Sequence, residues 1–262
     1  MTIARRVSIC AIGLISGLSA GQAWADFAGT LDGEYAYVGV DNNGGSANVW
    51  GGNAAGRFNL GSWGLNAQID GGYHTLSATN GGPSLDNWDA NGTLFWLGSE
   101  GRVGASFGYN GLSTTGIDGH IVNYGGFAEW YAAPSITVGI KGGAVDASNG
   151  GGSGDYVGGE IAWYAMPDVN VNATVDYLSF GGGHLTNYSG QAEWLFSETT
   201  PVSIFGGYTR TEATGGFGAN IWLAGLKLYT NGNGSSTLID RQRTGTVDWA
   251  SHLSAQSVLT AF

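Results

Sequence analysis

The chain has 262 residues, among them 49 glycines, 10 tryptophans and 1 cysteine, and its 20 Asp/Glu against 9 Lys/Arg give a formal net charge of −11. Phosphate binding needs basic surface, so this balance excludes a nucleic-acid partner. A single cysteine excludes a disulfide framework, and the glycine bias leaves low-complexity disorder or a secreted repeat as alternatives to a folded domain, which the periodicity of the aromatic residues decides.

Residues 1–25 read as an export signal: Arg5 and Arg6, an uncharged run from Val7 to Ala20, and the small-residue site Ala23-Trp24-Ala25. The run is too short to cross a bilayer as a helix, and no later segment carries 18 consecutive apolar residues, so no transmembrane helix is expected. Cleavage would leave Asp26 first and remove Cys10, whose position inside the apolar run does not suit a lipid anchor. Losing Arg5 and Arg6 leaves 7 of the 9 Lys/Arg against all 20 Asp/Glu.

From Leu31 to Thr230 apolar residues alternate with polar or small ones in stretches of about ten, broken by Gly, Asn, Ser or Pro, and a barrel is expected over residues 26–230. Twelve strands are predicted, over 30–40, 48–60, 63–76, 87–98, 102–111, 121–132, 136–146, 156–165, 169–179, 187–197, 202–212 and 220–230. In the third, Trp63, Leu65, Ala67, Ile69, Gly71 and Tyr73 share one face, while Asn66, Gln68, Asp70 and His74 share the other. The fourth and ninth split the same way. Connections alternate in character: Ser99-Glu100-Gly101, Ala133-Pro134 and Met166-Pro167-Asp168 are tight, and those between them are longer and richer in Gly and Asn. An internal repeat of one hairpin places Tyr124, Tyr156 and Tyr188 at equal spacing ahead of Trp130, Trp163 and Trp194.

Running alternate strands in opposite directions sorts the rings. Trp63, Trp96, Trp130, Trp163, Trp194 and Phe58 collect at the turn end of one face. Tyr37, Trp50, Tyr73, Trp88, Tyr109, Tyr124, Tyr177, Tyr188, Tyr208 and Trp222 collect at the loop end of the same face. Two aromatic girdles around an apolar band are what amphipathic rings form at the two interfaces of a membrane, whereas the core of a soluble sandwich gives no reason for such sorting. Trp88 and Trp96 would lie ~20 Å apart along the membrane normal, near the ~25 Å band of such barrels.

Over about residues 27–230 the chain resembles the small porin-like outer-membrane β-barrels of Gram-negative bacteria. The resemblance implies an all-β, antiparallel, up-and-down transmembrane β-barrel of about 12 strands in the bacterial outer membrane, with outer-membrane lipid around it. Such chains often end on a strand with an aromatic last residue. Here Phe262 is last, but Ser254, Gln256, Val258 and Thr260 make a poor lipid face, so residues 231–262 are expected as a periplasmic tail.

Twelve strands close a backbone cylinder ~24 Å across, so side chains decide whether it conducts. Parity points Glu34, Asn53, Arg57, Asn66, Gln68, Asp70, Asp89, Asn91, Asn123, Glu129, Lys141, Glu160, Asn172, Asp176, Gln191, Glu193 and Lys227 inward, with Phe95, Phe127, Tyr131, Tyr164 and Phe205 as the clearest inward rings. The acidic excess implies a narrow, cation-preferring pore for small hydrophilic solutes. The alternative is a closed structural or surface-interaction barrel, filled by pairing of Arg57, Lys141 and Lys227 with Glu129, Glu160 and Glu193.

No enzyme and no cofactor are expected. The candidate catalytic stretch Tyr73-His74-Thr75-Leu76-Ser77 sets His74 and Ser77 on opposite faces of a strand, and His74, His120 and His184 come from separate hairpins without metal-ligand spacing. The runs Gly150 to Gly154 and Gly181 to Gly183 are followed by no helix or lysine and so are not phosphate loops.

Overall fold

A computed structural model describes residues 27–42, 44–82, 84–114, 117–148, 152–196, 201–230 and 237–247. The expected export signal, with Cys10 and its cleavage site, lies outside the described residues, as do 231–236 and 248–262 of the expected tail.

Twelve strands follow one another around a single sheet: β1 (Phe27–Val40), β2 (Gly45–Asn59), β3 (Leu65–Ala78), β4 (Ser84–Leu97), β5 (Gly101–Thr114), β6 (Ile117–Ala133), β7 (Ile136–Ala147), β8 (Gly152–Met166), β9 (Val169–Phe180), β10 (Gly183–Leu195), β11 (Val202–Ala213) and β12 (Phe217–Thr230). Each pairs antiparallel with its sequence neighbours, and β1 closes the barrel on β12, with Gly29 opposite Thr230 and Val40 opposite Ala219. Closure leaves no strand edge with unpaired amides, the condition for placing a sheet in lipid. A short helix, α1 (Leu238–Thr244), follows β12.

All twelve expected strands are present, but most are longer than expected. The Gly- and Asn-rich stretches taken as longer loops are the ends of strands, so the loop-end connections shrink to 41–44, 79–83, 115–116, 148–151, 181–182 and 214–216. They are no longer than the turns 60–64, 98–100, 134–135, 167–168 and 196–201 at the other end. Glycine is a poor strand former only where a side chain would otherwise pack; within a closed ladder its backbone bonds still form. Strands of 12 to 17 residues rise ~30–43 Å along the barrel axis at ~40° tilt. The wall therefore stands proud of a ~25 Å apolar band, and the rim beyond the loop-end girdle is sheet. At that rim Arg210 on β11 donates to Asp41 at 2.6 Å, which holds the Asp41 carboxyl below its ordinary range, and Asn220 donates to the same carboxylate.

The faces divide as parity requires. Outward, Ile69, Leu94, Val103, Phe107, Ile140, Val157, Ile161, Ile204 and Leu226 are exposed. So are the eight girdle tryptophans, Trp50, Trp63, Trp88, Trp96, Trp130, Trp163, Trp194 and Trp222. A continuous apolar belt of this size on the outside of the barrel demands a non-aqueous neighbour. Trp63 lies in the 60–64 turn and not on β3, where its carbonyl accepts from Trp96 Nε1 at 2.9 Å. The girdle rings also touch one another, with Trp88 stacked on Tyr109 at 5.0 Å and Tyr208 tilted against Trp222 at 4.5 Å.

Candidate functional site in the lumen

The inward face carries glycine directly opposite side chains of the neighbouring strands, which lie flat across it. A Cβ on Gly51 of β2 would strike the His74 ring, and that ring crosses from β3 to reach Glu34 on β1, with Nε2 3.0 Å from Oε1. Gly158 of β8 makes the same room for Lys141 of β7 and Asp176 of β9, whose charged atoms are 3.1 Å apart. Gly225 leaves space for the Phe205 ring and Gly108 for Asn91 and Asn123. These inward glycines let charged and ring side chains lie along the wall of the lumen.

A cavity of about 310 Å³ occupies the middle of the barrel. Of the ten charged residues expected to line a pore, Glu34, Asp89, Glu129, Lys141, Glu160, Asp176, Glu193 and Lys227 border it. Arg57 and Asp70 also point inward but are buried in the polar wall beside it, where Arg57 donates to Asn66 at 2.7 Å and Asp70 accepts from Gln68 and Asn91 at 2.9 and 3.0 Å. The cavity also takes His74, which alternation along β3 turned to this face, and Asp32, Arg102 and Arg243, which were not in the expected inward set. Asp32 shares parity with Glu34 and Arg102 opens β5, so both were within reach of the parity argument; Arg243 was not, because it comes from beyond the last strand.

Glu129 and Lys141 each join a partner other than those expected. Glu129 is held by Arg102 at 2.7 Å, both side chains being buried, and Lys141 is held by Asp176. Glu193 accepts from Ser203 at 2.5 Å, Tyr229 at 2.6 Å and Gln242 at 3.1 Å. Lys227 lies over the Phe205 and Tyr229 rings. The pairs form between strand neighbours one or two apart because side chains that run along the wall do not cross the lumen.

Above the cavity, toward the loop end, the inner face turns apolar. Leu112, Ile121, Val145, Tyr156, Leu178 and Leu185 form one buried cluster on β5 to β10, and Ala36, Val38, Val49, Ala219 and Ile221 form another on β1, β2 and β12. Alternation signals such residues only as one of two faces. Sequence reasoning takes them for wall and cannot see that they form one tier.

Below the cavity, residues 237–247 cross the turn-end mouth. They were expected as part of a tail beyond the barrel, and they pack inside it. Thr237 caps α1, its hydroxyl accepting from the Asp240 amide at 3.3 Å. The segment enters at the β8–β9 turn, where Ile239 N donates to the Pro167 carbonyl and Leu238 N to Asp168. Arg243 donates to Thr137 and to the carbonyls of Ala133 and Ile136, with its guanidinium 4.7 Å from the Tyr131 ring centre and 5.6 Å from that of Tyr164. The segment leaves on the far side, where Gln68 bonds both the amide and the carbonyl of Val247 and Phe95 and Phe127 enclose its side chain. Of the five inward rings, Phe95, Phe127, Tyr131 and Tyr164 pack around this segment.

His74 faces the cavity while Ser77 is exposed, so the two do not meet. His120 stacks on Tyr109 and His184 on Tyr177, each at the loop end and apart from His74.

No protein-family model matches the sequence, and no curated protein matches it either. The fold has solved counterparts. The COG4313 outer membrane channel from Pseudomonas putida F1 superposes with a TM-score of 0.56 at 11% identity, over 81% of this chain and 98% of that one. The KdgM porin gives 0.52 at 7% identity over 76% and 99%, and the translocator domain of the autotransporter NalP from Neisseria meningitidis gives 0.50 at 11% over 86% and 95%. With its closed twelve-stranded sheet, outward apolar belt and two girdles of rings, the chain has the fold of these outer-membrane β-barrels.

Proposed function

We propose that the barrel is a channel for small hydrophilic solutes with a preference for cations. The observation that carries the reading is the charge of the cavity wall. Asp32, Glu34, Asp89, Glu129, Glu160, Asp176 and Glu193 face Arg102, Lys141, Lys227 and Arg243, an excess of three acids in a space enclosed by a low-dielectric wall. Such a wall concentrates cations and disfavours anions. A volume of about 310 Å³ holds on the order of ten waters, which suits a solute of a few heavy atoms. That the COG4313 protein and the KdgM porin are called a channel and a porin supports the reading by fold only.

The test is planar-bilayer conductance of the refolded protein under a salt gradient. Discrete openings with a cation-selective reversal potential are expected, and Glu34→Gln with Asp89→Asn should move that potential toward zero. A folded barrel that stays silent would sink the channel reading in favour of a closed barrel. The buried pair Arg102–Glu129, the half-buried pair Lys141–Asp176 and the segment across the mouth are what favour that second reading.

A further inference from the structure

We propose that residues 237–247 are the turn-end gate of this channel, and that solute leaves or enters there only when the segment swings out of the mouth. The inference rests on the channel reading above. Its ground is the path of the segment, which runs from the β8–β9 turn to β3 and bonds on the way to the ends of β5, β6, β7, β9 and β10. A strap on one wall would leave the mouth free, but a chain anchored on nearly opposite strands bars it. Gln242, Arg243 and Thr246 are at once part of the segment and part of the cavity floor, so displacing it opens the cavity directly.

The character of the anchors makes a gate of this bar. Apart from Leu238 and Val247, each with 0% exposure, the segment is held by polar bonds: three from Arg243, one from Tyr131 to the Arg243 carbonyl, two from Arg102 to the carbonyls of Gly245 and Thr246, and those of Gln242 with Asn170 and Glu193. Water at an open mouth replaces most such bonds, so the net cost of release is far below their number. A seven-residue helix is not stable by itself and lasts only while docked. Release also carries Arg243 away from the floor, leaving seven acids against three bases and a more cation-selective open state.

The mature chain from Asp26 is expected to lack cysteine, which permits a reversible lock in that protein. Thr30 on β1 and Thr246 in the segment have their hydroxyls 3.5 Å apart and both are buried. Thr30→Cys with Thr246→Cys should form a disulfide that pins the segment across the mouth. In planar bilayers we expect the oxidised double variant to lose about nine-tenths or more of the current that dithiothreitol restores, since a blocked pore does not conduct. Equal current in both redox states would overturn the gate while leaving the channel reading intact. Silence of the wild type and of both redox states would overturn the channel reading, and the gate with it. Should the cysteine pair prevent refolding, Arg243→Ala carries the same test: more frequent openings and a more cation-selective reversal potential support the gate, and wild-type behaviour in both overturns it.

Discussion

Ile69 lies at the middle of the lipid face, and arginine there should be expensive. Within the β3–β4 pair, Leu65 is opposite Trp96 of the turn-end girdle, Tyr73 is opposite Trp88 of the loop-end girdle, and Ile69 is opposite Gly92, midway between them. With Trp88 and Trp96 ~20 Å apart along the normal, Ile69 sits ~10 Å from either interface. An arginine stem of about 6 Å cannot snorkel that far, so the guanidinium stays in hydrocarbon or drags water and headgroups inward. Ile69→Arg should therefore cost ~2–4 kcal/mol, roughly a 30- to 1000-fold change in the folding equilibrium, while Leu65→Arg at the girdle should cost ~0–1 kcal/mol. Asn172→Arg, facing the cavity near Asp176 and Glu160, should change stability by under ~1 kcal/mol. The assay is urea unfolding in lipid vesicles followed by tryptophan fluorescence. Equal costs at residues 65, 69 and 172 would refute the membrane placement of this face.

Three further outcomes follow from particular contacts. Gly51→Ala places a methyl group against the Tyr73 carbonyl and the His74 ring, and it should cost ~1–3 kcal/mol in the same urea titration as His74 is driven from Glu34. Arg102→Met removes the guanidinium bonded to the buried Glu129 carboxylate and frees two carbonyls of the mouth segment; it should cost ~2–4 kcal/mol, and adding Glu129→Leu should recover part of that. At the loop-end rim the Asp41 carboxyl is held below its ordinary range first by the hydrogen bond from Arg210, so its stabilising contribution is present above the unfolded value of 3.8 and is lost as pH falls through the lower folded value. Hydrogen exchange at residues 41–42 and 214–216 should accelerate only in strong acid, and Arg210→Gln should abolish that step.

Most of the barrel was legible in the chain because lipid imposes a rule that repeats at every strand. A residue facing hydrocarbon must be apolar, its neighbour facing water must not, and the rings must stop at the interfaces; twelve strands, two faces and eight girdle tryptophans follow from that alternation alone. Strand ends were less legible, since beyond the girdles no lipid enforces the pattern and Gly-Asn runs suit a loop or a ladder equally. The inward set was legible as a list and not as an arrangement. Parity places Glu129 and Lys141 in the lumen, but which base meets which acid depends on neighbouring glycines that let a side chain lie across one strand onto the next. The polar cavity, the apolar tier above it and the segment below it came only from tertiary structure. Residues 237–247 have no period of their own, and their place is set by carbonyls, carboxylates and rings on strands that lie far from them in sequence and meet only when the barrel closes.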